Sequence, residues 1–219
     1  IFNNKIFCFS TITSMIIMLS MVGPALLIPL YVQNALGLSA LLSGLVIMPG
    51  AIINGIMSVF TGKFYDKYGP RPLIFTGFIL LISCTFLLCF LKVDTSFTYL
   101  IVIYAIRMFA VSLLMMPINT TGINALKTED ISHGTAIMNF GRVMAGSLGT
   151  ALMVTFMSIG AQWVVSSSEH ASKEMIQRQS VAVGVDVSFA LVTVFVIIAF
   201  VLALFIKEPN YSTHNSRKV

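Results

Sequence analysis

Charged side chains are scarce in this sequence. Lysine and arginine together number 13 and aspartate and glutamate 8 among 219 residues, a charged fraction of 10%, whereas a soluble domain carries about 25%. No acidic, basic or histidine residue lies between Lys5 and Lys63, or between Arg71 and Lys92. About 20 apolar residues suffice to cross the roughly 30 Å of a bilayer's hydrocarbon core. These stretches exclude a water-soluble domain and predict an integral membrane protein surrounded by lipid.

The sequence also lacks the residue patterns of a catalyst or a metal site. The 3 cysteines lie within apolar runs without C-x-x-C spacing, and the 3 histidines fall in predicted loops or the tail. A membrane enzyme needs a nucleophile with its base, buried acids or metal ligands. We therefore expect no enzymatic activity, no catalytic residue and no metal or organic cofactor. All acidic residues are predicted to lie in loops or at helix ends: Asp66, Asp94, Glu129, Asp130, Glu169, Glu174, Asp186 and Glu208.

The apolar runs predict an all-α integral membrane fold, a bundle of six transmembrane helices over residues 1–206. The longest predicted loop is 159–186, and residues 207–219 are predicted to form a cytoplasmic tail. Because the chain begins with Ile1 and enters an apolar run almost at once, we expect a fragment whose N-terminal part is missing. The predicted helices cover about 6–30, 38–61, 72–91, 97–117, 134–158 and 187–206.

Basic residues indicate how the bundle is oriented. An even number of crossings places both ends of the segment on one side, and loops facing the cytoplasm are enriched in lysine and arginine. We expect both ends, and the turn between the second and third helices, to face the cytoplasm of a cell membrane. The basic residues lack the aromatic interleaving that would suggest nucleic acid. The predicted inner side holds Lys5, Lys63, Lys67, Arg71, Lys127, Lys207, Arg217 and Lys218, and the outer side holds Lys92, Lys173 and Arg178.

Small residues recur at helical spacing in two of the predicted helices. Ala51 and Gly55 are four residues apart, and so are successive members of the series Gly141, Ala145 and Gly149. Residues four apart share a helix face, and small side chains let two membrane helices approach closely. Both sets are therefore predicted helix-packing faces.

Two arginines are predicted at membrane depth. Arg107 lies in an uncharged stretch of the fourth run, where a charge costs several kcal/mol unless it is paired or faces water. It has either a polar role in a transport pathway or a structural role, paired with a backbone carbonyl or a loop acid. Arg142 is either embedded or reaches back to the near surface. The predicted substrate-cavity residues are these two arginines together with Gln33, Asn34 and Asn139.

A charged polar turn separates the second and third apolar runs, from Gly62 to Arg71. Asp66 can accept hydrogen bonds from a helix N-terminus, whose dipole favours negative charge. Arg71 can pair with Asp66 or with a neighbouring helix end, and Gly69 followed by proline makes the turn tight. An ordinary cytoplasmic loop would also be basic, but it would not require glycine, acid and arginine at these spacings.

The pattern Gly62-x-x-x-Asp66-Lys67-x-Gly69-x-Arg71 resembles the signature loop of the major facilitator superfamily. In that family the loop joins the second and third helices of a six-helix half on the cytoplasmic side. Other motifs resemble the C-terminal half of the drug:proton antiporters with fourteen membrane helices, of the multidrug efflux and lincomycin-resistance type. They are Pro29-Leu30-Tyr31-Val32-Gln33 with Gly37-Leu38-Ser39, Ser43-Gly44-Leu45 with Met48-Pro49-Gly50, and Asn139-x-x-Arg142 with Gly146-Ser147-Leu148-Gly149.

The resemblance implies proton-coupled efflux of drugs or other small amphipathic molecules by alternating access, and hence antibiotic resistance. The proton gradient would be the energy source, and the missing N-terminal half would be the partner. The signature loop would control conformation, and Arg107 would correspond by pseudo-symmetry to an arginine on the fourth helix of the N-terminal half. The family's Gly-Pro antiporter motif is absent, and we expect no embedded carboxylate in these six helices. Either the coupling acid lies in the missing half, or this chain alone cannot couple transport to protons.

Two other functions are compatible with the same sequence. One is a major facilitator transporter for an ordinary metabolite, because one fold serves many substrates. The other is a membrane scaffold that keeps the fold and transports nothing. Loss of transport on replacing Asp66 with Asn would separate a transporter from a scaffold.

Overall fold

The computed structural model describes residues 1, 3–167 and 173–206, which form six long α-helices. Each helix is long and apolar enough to cross a membrane, and no strand lies in these described ranges. The predicted all-α bundle of six membrane helices is therefore confirmed. The helices are α1 (Lys5–Asn34), α2 (Ala40–Tyr68), α3 (Pro70–Leu87), α4 (Phe97–Asn124), α5 (Ile131–Ser167) and α6 (Lys173–Leu204), with a 3₁₀ turn at Thr128–Asp130 before α5.

Helices α1 and α4 form the centre of the bundle. In their most apolar windows, 50% of α1 residues and 61% of α4 residues are buried, against 17% in α2 and 28% in α5. Helix α3 packs against α6, while the described residues of α2 and α5 make no contact with each other. The central pair therefore separates α2 from α5, and each of these flanking helices leaves one long side uncovered.

Several helices are longer than the apolar runs that predict them. Most of the predicted loop 159–186 is helical, because α5 continues to Ser167 and α6 already begins at Lys173. An apolar run marks only the hydrocarbon crossing, whereas helical backbone hydrogen bonds continue beyond it, here through Gly160 in α5 and Gly184 in α6. The predicted tail 207–219 lies outside the described residues.

Helix α3 is shorter than predicted, ending at Leu87 rather than near Leu91. The amide of Leu88 donates to the Cys84 carbonyl and the amide of Cys89 to the Phe86 carbonyl, which tightens the last turn. The apolar residues that follow enter the connection to α4 instead of continuing the helix. This connection, residues 88–96, is called the 88–96 loop below.

Candidate functional site

Contacts at the helix ends define two ends of the bundle. At one end the side-chain Nδ2 of Asn4 donates to the Ala125 carbonyl over 2.5 Å. At the other, Tyr31 Oη donates to the Lys92 carbonyl over 2.5 Å, and Gln33 Nε2 donates to Ser43 Oγ over 3.0 Å. Since α2 runs back from the second end, the turn between α2 and α3 lies at the first. These ends are called the turn end and the loop end.

The predicted polar turn at Gly62–Arg71 is not a ten-residue loop. Helix α2 continues through Tyr68, and Gly69 alone separates it from Pro70, the first residue of α3. Gly69 has φ 77° and ψ 176°, a region that is essentially restricted to glycine. Pro70 suits the first position of a helix because its missing N–H would have no partner there. The chain therefore reverses at the single residue Gly69, and not over the ten residues of the predicted turn.

The charged residues of this turn lie mostly on the last helical turns of α2. Lys63, Asp66 and Lys67 are exposed, and the Lys67 ammonium lies 5.1 Å from the centre of the Tyr68 ring. The Tyr65 side chain between them is buried. The structure therefore presents the signature residues on a helix surface. Their conformational role remains a prediction.

The five predicted cavity residues do not converge on one site. Gln33 and Asn34 are exposed at the loop end of α1, whereas Asn139 is exposed near the turn end of α5. Met15 of α1 contacts Gly141 of α5, and Met15 is about 27 Å along α1 from Gln33 at 1.5 Å per residue. The polar candidates are therefore spread along the length of the bundle.

Arg107 is completely buried in the bundle. Its Nη2 donates to the Ser20 carbonyl of α1, while Nε and Nη1 have no hydrogen-bond partner among the residues that the structure describes. This arrangement matches the alternative of a structural arginine held by a backbone carbonyl. Because the guanidinium is enclosed between helices, it does not reach the uncovered sides of α2 and α5. Arg142 is half-buried, and its Nε has no partner.

The two sets of small residues have different surroundings. In α5, an added Cβ at Gly149 would lie 3.0 Å from both Cα and the carbonyl oxygen of Leu19, so α5 packs on the α1 backbone there. In α2, an added Cβ at Gly55 or Gly44 would meet nothing within 4 Å, and Ala51 is exposed. The α2 set therefore meets no helix in the described part of the chain.

Exposed side chains differ between opposite sides of the bundle. On α3 and α6 they are mostly bulky and apolar, including Phe75, Ile79, Phe86, Val194, Ile197 and Val201. On α2 and α5 small or polar residues intervene among the apolar ones. We call these exposed residues of α2 and α5 the open face; it includes Gly44, Ala51, Gly55 and Ser58 of α2 and Asn139, Ser147, Ala151 and Thr155 of α5. Bulky apolar residues suit lipid contact, whereas small residues suit packing against another helix.

The prediction that every acidic residue lies in a loop or at a helix end is wrong for Asp186. Because α6 begins at Lys173, Asp186 lies inside the helix rather than before it. Its Oδ1 accepts a 2.9 Å hydrogen bond from the Leu91 amide of the 88–96 loop, and its side chain is partly buried. Nearby, the backbone of Gly184 packs on α5. A glycine two residues before the acid is as compatible with a turn as with helix packing, so it does not by itself locate the start of the helix.

A cavity of about 390 Å³ lies at the turn end between the start of α3 and the end of α6. Apolar side chains such as Ile74, Phe75 and Phe200 form most of its wall, and Arg71 and Thr121 also line it. The Thr121 hydroxyl is buried without a hydrogen-bond partner. None of the predicted cavity residues lines this space.

Comparison with known proteins connects this bundle to a family. Residues 1–150 match the family described as Major Facilitator Superfamily. The lincomycin resistance protein LmrB of Listeria monocytogenes is 35% identical over 210 residues, covering 96% of this chain and 44% of the relative. The lincomycin resistance protein LmrB of Bacillus subtilis is 34% identical over 207 residues, covering 94% and 43%.

A third relative is the multidrug export protein EmrB of Escherichia coli strain K12. It is 30% identical over 134 residues, covering 61% of this chain and 26% of the relative. The chain thus spans less than half the length of each of these curated relatives.

Proposed function

Because the chain belongs to the major facilitator superfamily, we propose that it is the C-terminal six-helix half of a proton-driven drug exporter. The family match points to a transporter rather than an enzyme, and the six apolar helices make it a multi-pass membrane protein. The observation that carries the proposal is similarity across 96% of the chain to a protein named for lincomycin resistance. The proposed substrates are drugs or other small amphipathic molecules.

The open face supports the presence of a second half. Gly44 and Gly55 leave space for another helix, and no described residue fills it. The relatives are more than twice as long as the matched segment, which is enough for a second helical bundle. We infer that an N-terminal half packs against parts of α2 and α5, and that substrate passes between the halves by alternating access.

The orientation is part of the same proposal. The turn end carries Lys63, Lys67 and Arg71, and the positive-inside rule favours the cytoplasm for it. The loop end would then face outward in the cell membrane. Drug export would draw on the proton gradient, with no other cofactor.

The test is drug efflux by the full-length protein in a drug-sensitive bacterium. We expect raised tolerance to lincomycin or another amphipathic drug, and dye efflux that stops when a protonophore collapses the proton gradient. Asp66→Asn is the matched variant, because Asp66 is exposed and belongs to the signature turn. It should reach the membrane in normal amount and lose efflux.

Each alternative function has its own outcome. Unchanged drug tolerance and absence of dye efflux in cells that contain the full-length protein would contradict the proposal. Uptake or release of a metabolite without any drug phenotype would favour an ordinary solute carrier. Membrane insertion with no transport of either kind would favour a scaffold.

A further inference from the structure

Asp186 joins α6 to the 88–96 loop through one hydrogen bond, the 2.9 Å contact between its carboxylate and the Leu91 amide. The following residue of the loop is held from another side, because Tyr31 Oη of α1 donates to the Lys92 carbonyl over 2.5 Å. Two consecutive loop residues are thus fixed to two helices. Since the loop joins α3 to α4, these two bonds connect α1, α3, α4 and α6 at the loop end of the bundle.

No basic side chain forms an ion pair with Asp186 in the described part of the chain. The Tyr31 phenol of α1 is near enough to interact electrostatically with the carboxylate, and Asp94 of the loop is exposed. Burial raises the pKa of the Cys89 thiol, so Cys89 is neutral near neutral pH and supplies no charge. The neighbouring Lys92 carries its ammonium on an exposed side chain.

Among the described residues, the remaining helix surfaces near Asp186 add no opposite charge beside it. On α6 itself Arg178 lies about two turns earlier, with its guanidinium near Gly37 of the α1–α2 connection. On α5, the segment that packs against Gly184 is around Met157 and Gly160, and neither residue titrates. A partly buried carboxylate in this position has lost water and gained one amide donor in return.

We propose that Asp186 is a proton-binding site that latches the 88–96 loop to α6. When Asp186 is ionised, its carboxylate accepts the Leu91 N–H in a charge-assisted hydrogen bond, which is about twice as strong as a neutral one. When a proton binds a carboxylate oxygen, the group becomes neutral and the bond to Leu91 weakens. The hydrogen bond from Tyr31 to the Lys92 carbonyl does not involve the group that binds the proton, so it remains as a fixed attachment.

The latch gives a physical link between proton binding and helix position. Releasing one of the two attachments allows the α3–α4 connection to move relative to α6 while α1 still holds it. In the proposed exporter this would bias the loop end between two arrangements, as a local change of charge does in other two-state proteins. This consequence for transport rests on the proposed function, whereas the latch itself does not.

Amide hydrogen exchange in the full-length protein tests the latch directly. The rate for a peptide containing Leu91 is divided by the rate for an α4 peptide containing Ile103 in the same sample, which cancels the shared effect of pH on exchange chemistry. In the wild type we expect this ratio to rise about tenfold between pH 8 and pH 5, roughly the difference between a hydrogen bond to a charged group and one to a neutral group. In Asp186→Asn the ratio should be high and constant.

Asp94→Asn is the control, because it removes an exposed acid from the same loop and should keep the wild-type ratio at every pH. A ratio that stays constant with pH in the wild type overturns the latch, and so does a wild-type pH response in Asp186→Asn. If Asp186→Asn does not accumulate, the wild type and the Asp94→Asn control still decide the question.

Transport provides the second readout. If the wild type exports drug and Asp186→Asn exports it with the same pH profile, the latch has no role in transport and that part of the inference is wrong. If the wild type exports no drug, the proposed function fails, and the exchange experiment still decides whether Asp186 holds the loop. A flattened pH profile in Asp186→Asn, with the Asp94→Asn profile unchanged, is the result we expect.

Discussion

Replacing Gly149 with Val should break the contact between α5 and α1. A Cβ at this position would lie 3.0 Å from two backbone atoms of Leu19 and 2.7 Å from its Cγ, whereas carbon atoms are most stable about 3.5 to 4.0 Å apart. The Leu19 side chain can rotate, but its backbone belongs to the central helix and cannot move alone. The two helices must therefore separate by roughly 0.5 to 1 Å.

Overpacking of this kind typically costs about 1 to 3 kcal/mol. At about 2 to 4 °C per kcal/mol for a domain of this size, the unfolding midpoint should fall by roughly 2 to 12 °C. The assay is thermal unfolding of the detergent-purified full-length protein, followed by the fraction that stays monodisperse. Ala190→Val is the matched control, because Ala190 is exposed on α6 and a surface change of this size shifts stability by no more than about 0.5 kcal/mol.

Equal midpoints for Gly149→Val and Ala190→Val would refute the reasoning. They would mean that α5 does not rest on the α1 backbone at this glycine. A fall in both variants would instead show that the membrane-facing side of α6 is packed, which contradicts the assignment of that side to lipid.

Three further substitutions test other parts of the structure in the same full-length protein. Gly55→Val should leave the α2–α4 contact intact yet lower drug efflux several-fold, because the added methyl groups occupy the proposed contact with the other half; wild-type efflux would contradict this. Gly69→Ala should lower stability by about 1 to 3 kcal/mol, since its φ of 77° and ψ of 176° exclude other residues, and an unchanged thermal midpoint would argue against the one-residue reversal. Arg107→Met should keep or raise the midpoint, because two buried guanidinium nitrogens lack a partner among the described residues and a buried donor left unsatisfied costs about 1 to 3 kcal/mol; a clear fall would show that the guanidinium stabilises the bundle.

The helices could be located from the sequence because hydrophobic length is a strong signal. Uncharged stretches such as 6–62 and 72–91 are long and apolar enough to predict membrane crossings directly. The helix ends could not be located as well, since polar residues continue a helix once it has left the hydrocarbon. Asp186 is the clearest case: hydropathy assigned it to a loop, and the backbone places it inside α6.

The candidate site was less predictable than the fold. The spacing of Gly141 and Gly149 identifies a packing face, but nothing in the sequence indicates that α1 lies on it. The partner of Arg107 is the carbonyl of Ser20, 87 residues away, and a carbonyl has no sequence signal because every residue has one. Gln33 and Asn139 both count as predicted cavity residues because they are polar, yet they lie at opposite ends of the bundle. Polarity alone does not indicate where along the bundle a residue lies.

The central claim is that this bundle is half of a proton-driven exporter, and drug movement in proteoliposomes tests it most directly. The full-length protein is purified, reconstituted into sealed vesicles loaded with lincomycin or a fluorescent amphipathic dye, and given an imposed proton gradient. We expect the drug to move against its own gradient while protons move the opposite way, and Asp66→Asn to abolish both movements. Folded wild-type protein that moves no drug in response to the gradient, in either vesicle orientation, would contradict it.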